Sequence, residues 1–203
     1  GDPLIGQATY PVCATCHGLQ GEGMVALNSP KLSGQEGWYL ETQLRNFKNG
    51  VRGAHDDDEF GRQMAPMAAL LADEAAIRNM AAYITTLPEH TSNNSLSGDA
   101  VKGQHLYRTC GTCHGINGEG NYATNSPRLR GQEDWYLKRQ LRNFISGVRG
   151  VHRQDLFGPQ MRSMSRMLRT EKDINDVVAY INILEPAVDQ NQIADAAMQG
   201  GED

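Results

Sequence analysis

Apolar residues in this chain come in short groups spaced for helices, and the spacing occurs twice. Between Trp38 and Asn49 they occupy Trp38, Leu40, Leu44 and Phe47, one face of a 3.6-residue period, with Gly50 where such a helix would end. Trp135 to Ser146, closed by Gly147, repeats the pattern. Further helices are predicted over Asp73 to Leu87 and Thr170 to Leu184, where Thr170 with Asp173 resembles a capping box with aspartate in place of glutamate. Asp2-Pro3 and Asp99 can cap short first helices that end near the cysteines. Strand signals are scarce, and the glycine-rich stretches read as irregular loops. The longest apolar run, Met67 to Ala72, is stopped by Asp73-Glu74, well short of the roughly 18 residues of a membrane span. The pattern predicts an all-α fold with no membrane helix.

Sliding the chain by 97 residues lays one half on the other without a gap. Gly6-Gln7 meets Gly103-Gln104, Asn28-Ser29-Pro30 meets Asn125-Ser126-Pro127, and Gly34-Gln35-Glu36 meets Gly131-Gln132-Glu133. Trp38-Tyr39-Leu40, Leu44-Arg45-Asn46-Phe47 and Tyr83-Ile84 also recur. Roughly half of the positions from 10 to 87 match, which identifies a duplication. Two domains are expected, at 1–88 and 98–185, joined by a polar linker at 89–97 and followed by a tail at 186–203. Each repeat is small enough that its own core is marginal, a deficit that a large prosthetic group would make good.

Charge adds a contrast between the halves. Residues 1–97 carry 6 basic and 11 acidic side chains, while residues 98–185 carry 13 and 9. The tail adds Asp189, Asp195, Glu202 and Asp203. The whole chain stands at −5, which argues against a nucleic-acid binder. Opposite fields on the two halves suit steering of two different partners, although drift between repeats would give the same numbers. Gly1-Asp2-Pro3 reads as a trimmed start from which an export signal had been removed.

The four cysteines form two pairs, each followed at once by histidine: Cys13-Ala14-Thr15-Cys16-His17 and Cys110-Gly111-Thr112-Cys113-His114. C-x-x-C-H is the attachment signature of c-type haem, with the thiols bonded to the vinyl groups and the histidine under the iron. Disulfides or zinc are the alternatives, but zinc needs a second ligand cluster in each repeat, and neither repeat has one. An electron carrier also needs a ligand on the iron's other face, and methionine is the usual partner of histidine. Met64-Ala65-Pro66-Met67 and Met161-Arg162-Ser163-Met164 offer one pair each, in sequence that reads as irregular before the last helix. Either methionine of a pair can serve, with the other packed against the ring edge. His55 and His152 also match across the repeat and raise a bis-histidine alternative; local hydrogen bonding is the plainer reading. Arg52 and Arg149 are candidates to pair with haem propionates, since a guanidinium matches a carboxylate fork. Trp38 and Trp135 read as core or haem-packing residues.

The C-x-x-C-H, the Asn-x-Pro-[Lys/Arg]-Leu-x-Gly-Gln segment and the late Met-x-x-Met together resemble the dihaem cytochromes of the cytochrome c4 family, over nearly all of residues 4–185. The resemblance implies two tandem class I cytochrome c domains, each holding one covalent haem c. It implies Met64 and Met161 as the axial ligands, and Pro30 and Pro127 as carbonyl acceptors for the other ring nitrogen of His17 and His114. It also implies that the first and last helices of each domain cross at a small residue, Gly6 near Tyr83 and Gly103 near Tyr180, with Tyr10 and Tyr107 alongside. Function then follows as electron transfer by a monomer (a dimer being the alternative) between a donor and an acceptor protein, such as a quinol-oxidising complex and a terminal oxidase. The periplasm is the compartment implied. Two rival functions are an electron-transfer subunit of one dehydrogenase or reductase, docked through the tail, and a dihaem peroxidase, which would need one iron with an open ligand position.

Overall fold

The computed structural model describes residues 1–92 and 94–185. The described part of the first repeat contains α1 (Pro3–Thr9), α2 (Pro11–His17), α3 (Gly37–Lys48), α4 (Glu59–Ala69) and α5 (Glu74–Ile84). The second contains α6 (Ala100–His114), α7 (Asp134–Ser146), α8 (Gly158–Ser165) and α9 (Glu171–Ile181). No strand occurs among the described residues, and no helix there is long and apolar enough to cross a membrane. The tail at 186–203, including its expected docking role, lies outside the described residues.

Caps set the helix starts as the sequence predicts. The Asp2 side chain accepts from Leu4 N, and the Asp99 side chain from Val101 N and Lys102 N. Thr170 and Asp173 form the full reciprocal box: the Thr170 hydroxyl accepts from Asp173 N at 3.1 Å and Asp173 accepts from Thr170 N at 2.9 Å. Two features differ from expectation. The first helix of the first repeat is broken at Pro11, which cannot donate a backbone hydrogen bond; Arg108 stands at the matching position and α6 runs unbroken for 15 residues. The methionine pairs, read as irregular sequence, lie within α4 and α8. Asp58 caps α4 by accepting from Gly61 N at 3.1 Å, whereas the cap position of α8 is Phe157 and Asp155, two residues earlier, accepts from Gly158 N at 2.8 Å.

Each repeat packs its last helix against its first. Ile77, Met80, Ala81 and Ile84 of α5 are buried with Leu40, Leu44, Phe47 and Tyr10; Ile174, Val177, Val178 and Ile181 of α9 are buried with Leu137, Leu168 and Tyr107. The crossing is close because glycine sits at it. A Cβ at Gly6 would lie 2.7 Å from Tyr83 Cβ, and one at Gly103 would lie 2.8 Å from Tyr180 Cβ and collide with the Asp176 carbonyl. Edge contacts between Tyr10 and Tyr83 (5.1 Å between centroids) and a tilted one between Tyr107 and Tyr180 (5.4 Å) flank the crossings. Gly103→Ala is therefore expected to cost about 1–3 kcal/mol through overpacking. A guanidinium unfolding midpoint equal to that of the parent would show that the helices have room to part.

The two repeats meet through reciprocal contacts. Lys31 N donates to Glu133 Oε2 and Arg128 N to Glu36 Oε2, both at 3.0 Å; these residues exchange under the 97-residue shift. Gln35 Nε2 donates to Arg128 O at 3.3 Å, and Gln132 Nε2 to Lys31 O at 3.1 Å. Burial pushes both glutamates above the usual carboxylate range, opposed by the N–H groups they accept. The connecting segment is fastened to both sides. Lys31 Nζ donates to His90 O at 2.7 Å, Glu89 pairs with Arg128, and Asp134, 1% exposed, accepts from Ser95 N and Leu96 N at 2.6 Å each.

Candidate functional site

Each C-x-x-C-H occupies the end of a helix. In α2 and the last turns of α6, the i, i+3, i+4 spacing turns Cys13, Cys16 and His17, or Cys110, Cys113 and His114, toward one side. The four thiols are free. Burial raises the Cys13 thiol and pushes that of Cys110 up to about 11, the reverse of the low pKa a redox-active C-x-x-C requires. Among the described residues no cluster of three or more His, Cys, Asp or Glu is arranged to hold a metal ion.

The histidines are set for ligation through one nitrogen. His17 and His114 are 7% and 6% exposed. Nδ1 of His17 lies 2.7 Å from Pro30 O, and Nδ1 of His114 lies 2.7 Å from Pro127 O. A carbonyl only accepts, so Nδ1 carries the proton and Nε2 presents its lone pair. Burial pushes both imidazoles below the ordinary histidine range, which keeps them neutral.

In the second repeat an open cavity of about 1400 Å³, its solvent mouth included, contains these groups. Cys110, Cys113, His114, Pro127, Met161 and Met164 all line it, with Leu137, Phe144, Val177 and Ile181 supplying apolar wall. A free thiol pair, a buried imidazole with one available nitrogen, a thioether and an apolar enclosure fit a covalently held haem. Met161 and Met164 stand three residues apart in α8; Met164 is 38% exposed and Met161 is half-buried. In the first repeat Met64 packs against the buried core together with Cys13 and Ala14. His55 and His152 use Nδ1 locally, accepting from Asp57 N at 3.1 Å and Gln154 N at 3.2 Å.

Arg52 and Arg149 lie at the boundary between the repeats, stacked over Phe47 and Phe144 at 4.4 and 4.3 Å. Arg52 donates to Tyr136 Oη at 2.9 Å and to Gln140 Oε1 at 3.0 Å, both in the other repeat, and to Gln43 Oε1 at 2.9 Å. Arg149 donates to Gln140 Oε1 at 2.6 Å and across to Gln43 Oε1 at 3.2 Å. Tyr39, Gln43, Tyr136, Gln140 and Arg149 also line the second cavity. The glutamines and tyrosines of this cluster were not singled out by sequence, although the recurrence of Tyr39 and Gln43 as Tyr136 and Gln140 on one helical face was the available signal. Trp38 meets Tyr122 of the other repeat edge-on at 5.5 Å, and the Arg139 guanidinium lies over both Trp135 and Phe60.

The two repeats differ sharply in charge beside their methionine pairs. Residues 153–169 carry Arg153, Arg162, Arg166 and Arg169 against Asp155 alone, whereas the matching 56–72 carry Asp56, Asp57, Asp58 and Glu59 against Arg62 alone.

Comparison with known proteins agrees with the geometry. The family model described as cytochrome c matches twice, over residues 4–88 and 100–185. Cytochrome c4 of Azotobacter vinelandii is 33% identical over 193 residues, covering 89% of this chain and 88% of that protein. A thiosulfate dehydrogenase electron acceptor of Stutzerimonas stutzeri is 32% identical over 164 residues, covering 75% of this chain and 72% of that protein. Among solved structures, reduced recombinant cytochrome c4 from Pseudomonas stutzeri superposes with a TM-score of 0.72 at 30% identity, covering 91% of this chain and all of that one.

Proposed function

Since this chain belongs to the cytochrome c family, and within it to the dihaem cytochromes c4 with one covalent haem c per repeat, we propose that it carries single electrons between two respiratory proteins in the periplasm. A quinol-oxidising complex upstream and a terminal oxidase downstream are the partners assigned. The bound haem supplies reversible one-electron exchange at its iron. Cys13 and Cys16, and Cys110 and Cys113, anchor the two groups by thioether bonds. His17 and His114 ligate through Nε2, and Pro30 and Pro127 fix the rings and strengthen their donation. Met64 and Met161 would supply the thioether ligands that raise the potential of the two irons. Domains at 1–88 and 98–185, joined by 89–97, hold the two groups at a fixed separation. Arg52 and Arg149, at the boundary between the repeats, are the residues that would pair with haem propionates. The observation that carries this reading is the pair of buried imidazoles, each held at Nδ1 by a proline carbonyl, one of them sharing a cavity with a methionine pair.

The charge difference sets a direction. Arginines of the second repeat favour the less positive, ferrous form, and acids of the first favour the ferric form. A spectroelectrochemical titration is expected to resolve two one-electron waves, with the second repeat higher by roughly tens of millivolts, where about 59 mV corresponds to a tenfold change in equilibrium constant. The oxidised form is expected to show the sulfur-to-iron charge-transfer band of methionine ligation. High-spin features at either centre would remove the carrier reading. A second reading, the dedicated acceptor of one dehydrogenase, draws support from the relative of that description. Reduction of this chain by one purified dehydrogenase, with no exchange with a quinol-oxidising complex, would favour it.

A further inference from the structure

We infer that the mouth of the second-repeat cavity is the docking face for a redox protein with an acidic surface. The inference rests on the carrier reading and adds the partner's chemistry and the place where it binds. Residues of α8 and its flanks line the cavity, and its exposed lining is mostly apolar: Phe157, Met164 and Met167 are 38–40% exposed, with Gln160 the polar exception. Leu156 at 80% and Val151 at 53% extend the apolar surface along the preceding loop. Within the same segment stand Arg153, Arg162, Arg166 and Arg169. None of the four forms an ion pair among the described residues, although the arginines at 45, 128 and 142 all do. Cations without an ion pair in the same segment as exposed apolar residues suit a transient protein interface, in which charge steers encounter and apolar contact gives closeness.

The matching surface of the first repeat carries the opposite sign. Asp56, Asp57 and Glu59 are exposed there, and the positions corresponding to Arg166 and Arg169 are Ala69 and Ala72. The same scaffold thus carries cations around the methionine pair of the second repeat and anions in the equivalent segment of the first. An acidic partner is attracted to the second and repelled from the first, so the two segments assign different partners to different haems. An anionic membrane would also attract arginines. A redox protein is favoured because the cations share α8 and its flanking segments with the methionine ligand candidates that line the cavity, and a lipid surface accepts no electron.

Stopped-flow oxidation of the fully reduced dihaem protein tests this, with plant plastocyanin as acidic acceptor and horse-heart cytochrome c as basic acceptor. For Arg166→Glu/Arg169→Glu the second-order rate with plastocyanin is expected to fall about tenfold or more at low ionic strength and to converge with the parent at high salt. The rate with the basic acceptor should fall little or rise. Asp56→Lys/Asp57→Lys should weaken the basic acceptor's rate instead. Equal plastocyanin rates for parent and arginine variant at low salt would overturn the proposal. So would a variant that loses sedimentation with phosphatidylglycerol vesicles while its plastocyanin rate is unchanged. Failure of the parent to reduce either acceptor, with its methionine-ligation band intact, would instead count against the carrier reading.

Discussion

Met161→Ala is expected to lower the potential of the second haem by on the order of a few hundred millivolts and to let its ferrous form bind carbon monoxide. The thioether is a soft ligand that favours ferrous iron, and axial ligand identity moves haem potentials over about 0.8 V. Its loss also opens a coordination position inside an apolar cavity. Met164→Ala is the discriminating partner variant. Met161 and Met164 occupy one face of α8 and both line the cavity, but Met164 is 38% exposed and Met161 is the better shielded. The Met164 variant is expected to keep the sulfur-to-iron band and most of its potential. If the band is lost with Met164 and kept without Met161, the ligand is the second methionine of the pair. Met64→Ala should repeat the result in the first repeat, where Met64 and Cys13 each pack against the buried core.

The second large effect concerns haem removal. A chain with Cys13, Cys16, Cys110 and Cys113 all replaced by alanine, made without attached haem, is expected to lose most of its helical circular dichroism and its cooperative melting transition. Each repeat has a modest core: nine buried residues head the first cluster and seven the second. In the second, Leu137, Val177 and Ile181 also form wall of the large cavity. Without the haem this apolar wall is left wet instead of buried, and a small domain has only ~5–15 kcal/mol of total stability to lose. A haem-free chain that melted cooperatively with near-native helicity would show that α1–α5 and α6–α9 hold themselves together.

Much of this architecture was legible because its causes are local. The 3.6-residue period of Trp38 to Phe47, the box at Thr170 and Asp173, and the C-x-x-C-H pairs each act over a few residues. The helices α4 and α8 were hidden because Pro66 lies within one and Gly158-Pro159 opens the other, while α4 has a single aspartate cap, Asp58, and α8 has no side-chain cap at all. The boundary cluster was hidden for a different reason. Arg52 could be matched to a carboxylate fork from its chemistry, but its neighbours Tyr136 and Gln140 are 84 and 88 positions away. No local pattern specifies such a pairing, although recurrence of the tyrosine and glutamine in both repeats marks them as a set. Asp134 is likewise a departure from the duplication, replacing Gly37, and only the fold shows that it clasps the connecting segment.

The crossed pairs Lys31–Glu133 and Arg128–Glu36 bear on the origin of the molecule. Contacts that exchange with one another under the repeat are those two copies of a single half would make about a two-fold axis. Fusing the copies turns a dilution-sensitive encounter into a permanent one, since a short tether acts as a millimolar local supply of the second half. Wire length between the two metal centres is thereby independent of how much protein a cell makes.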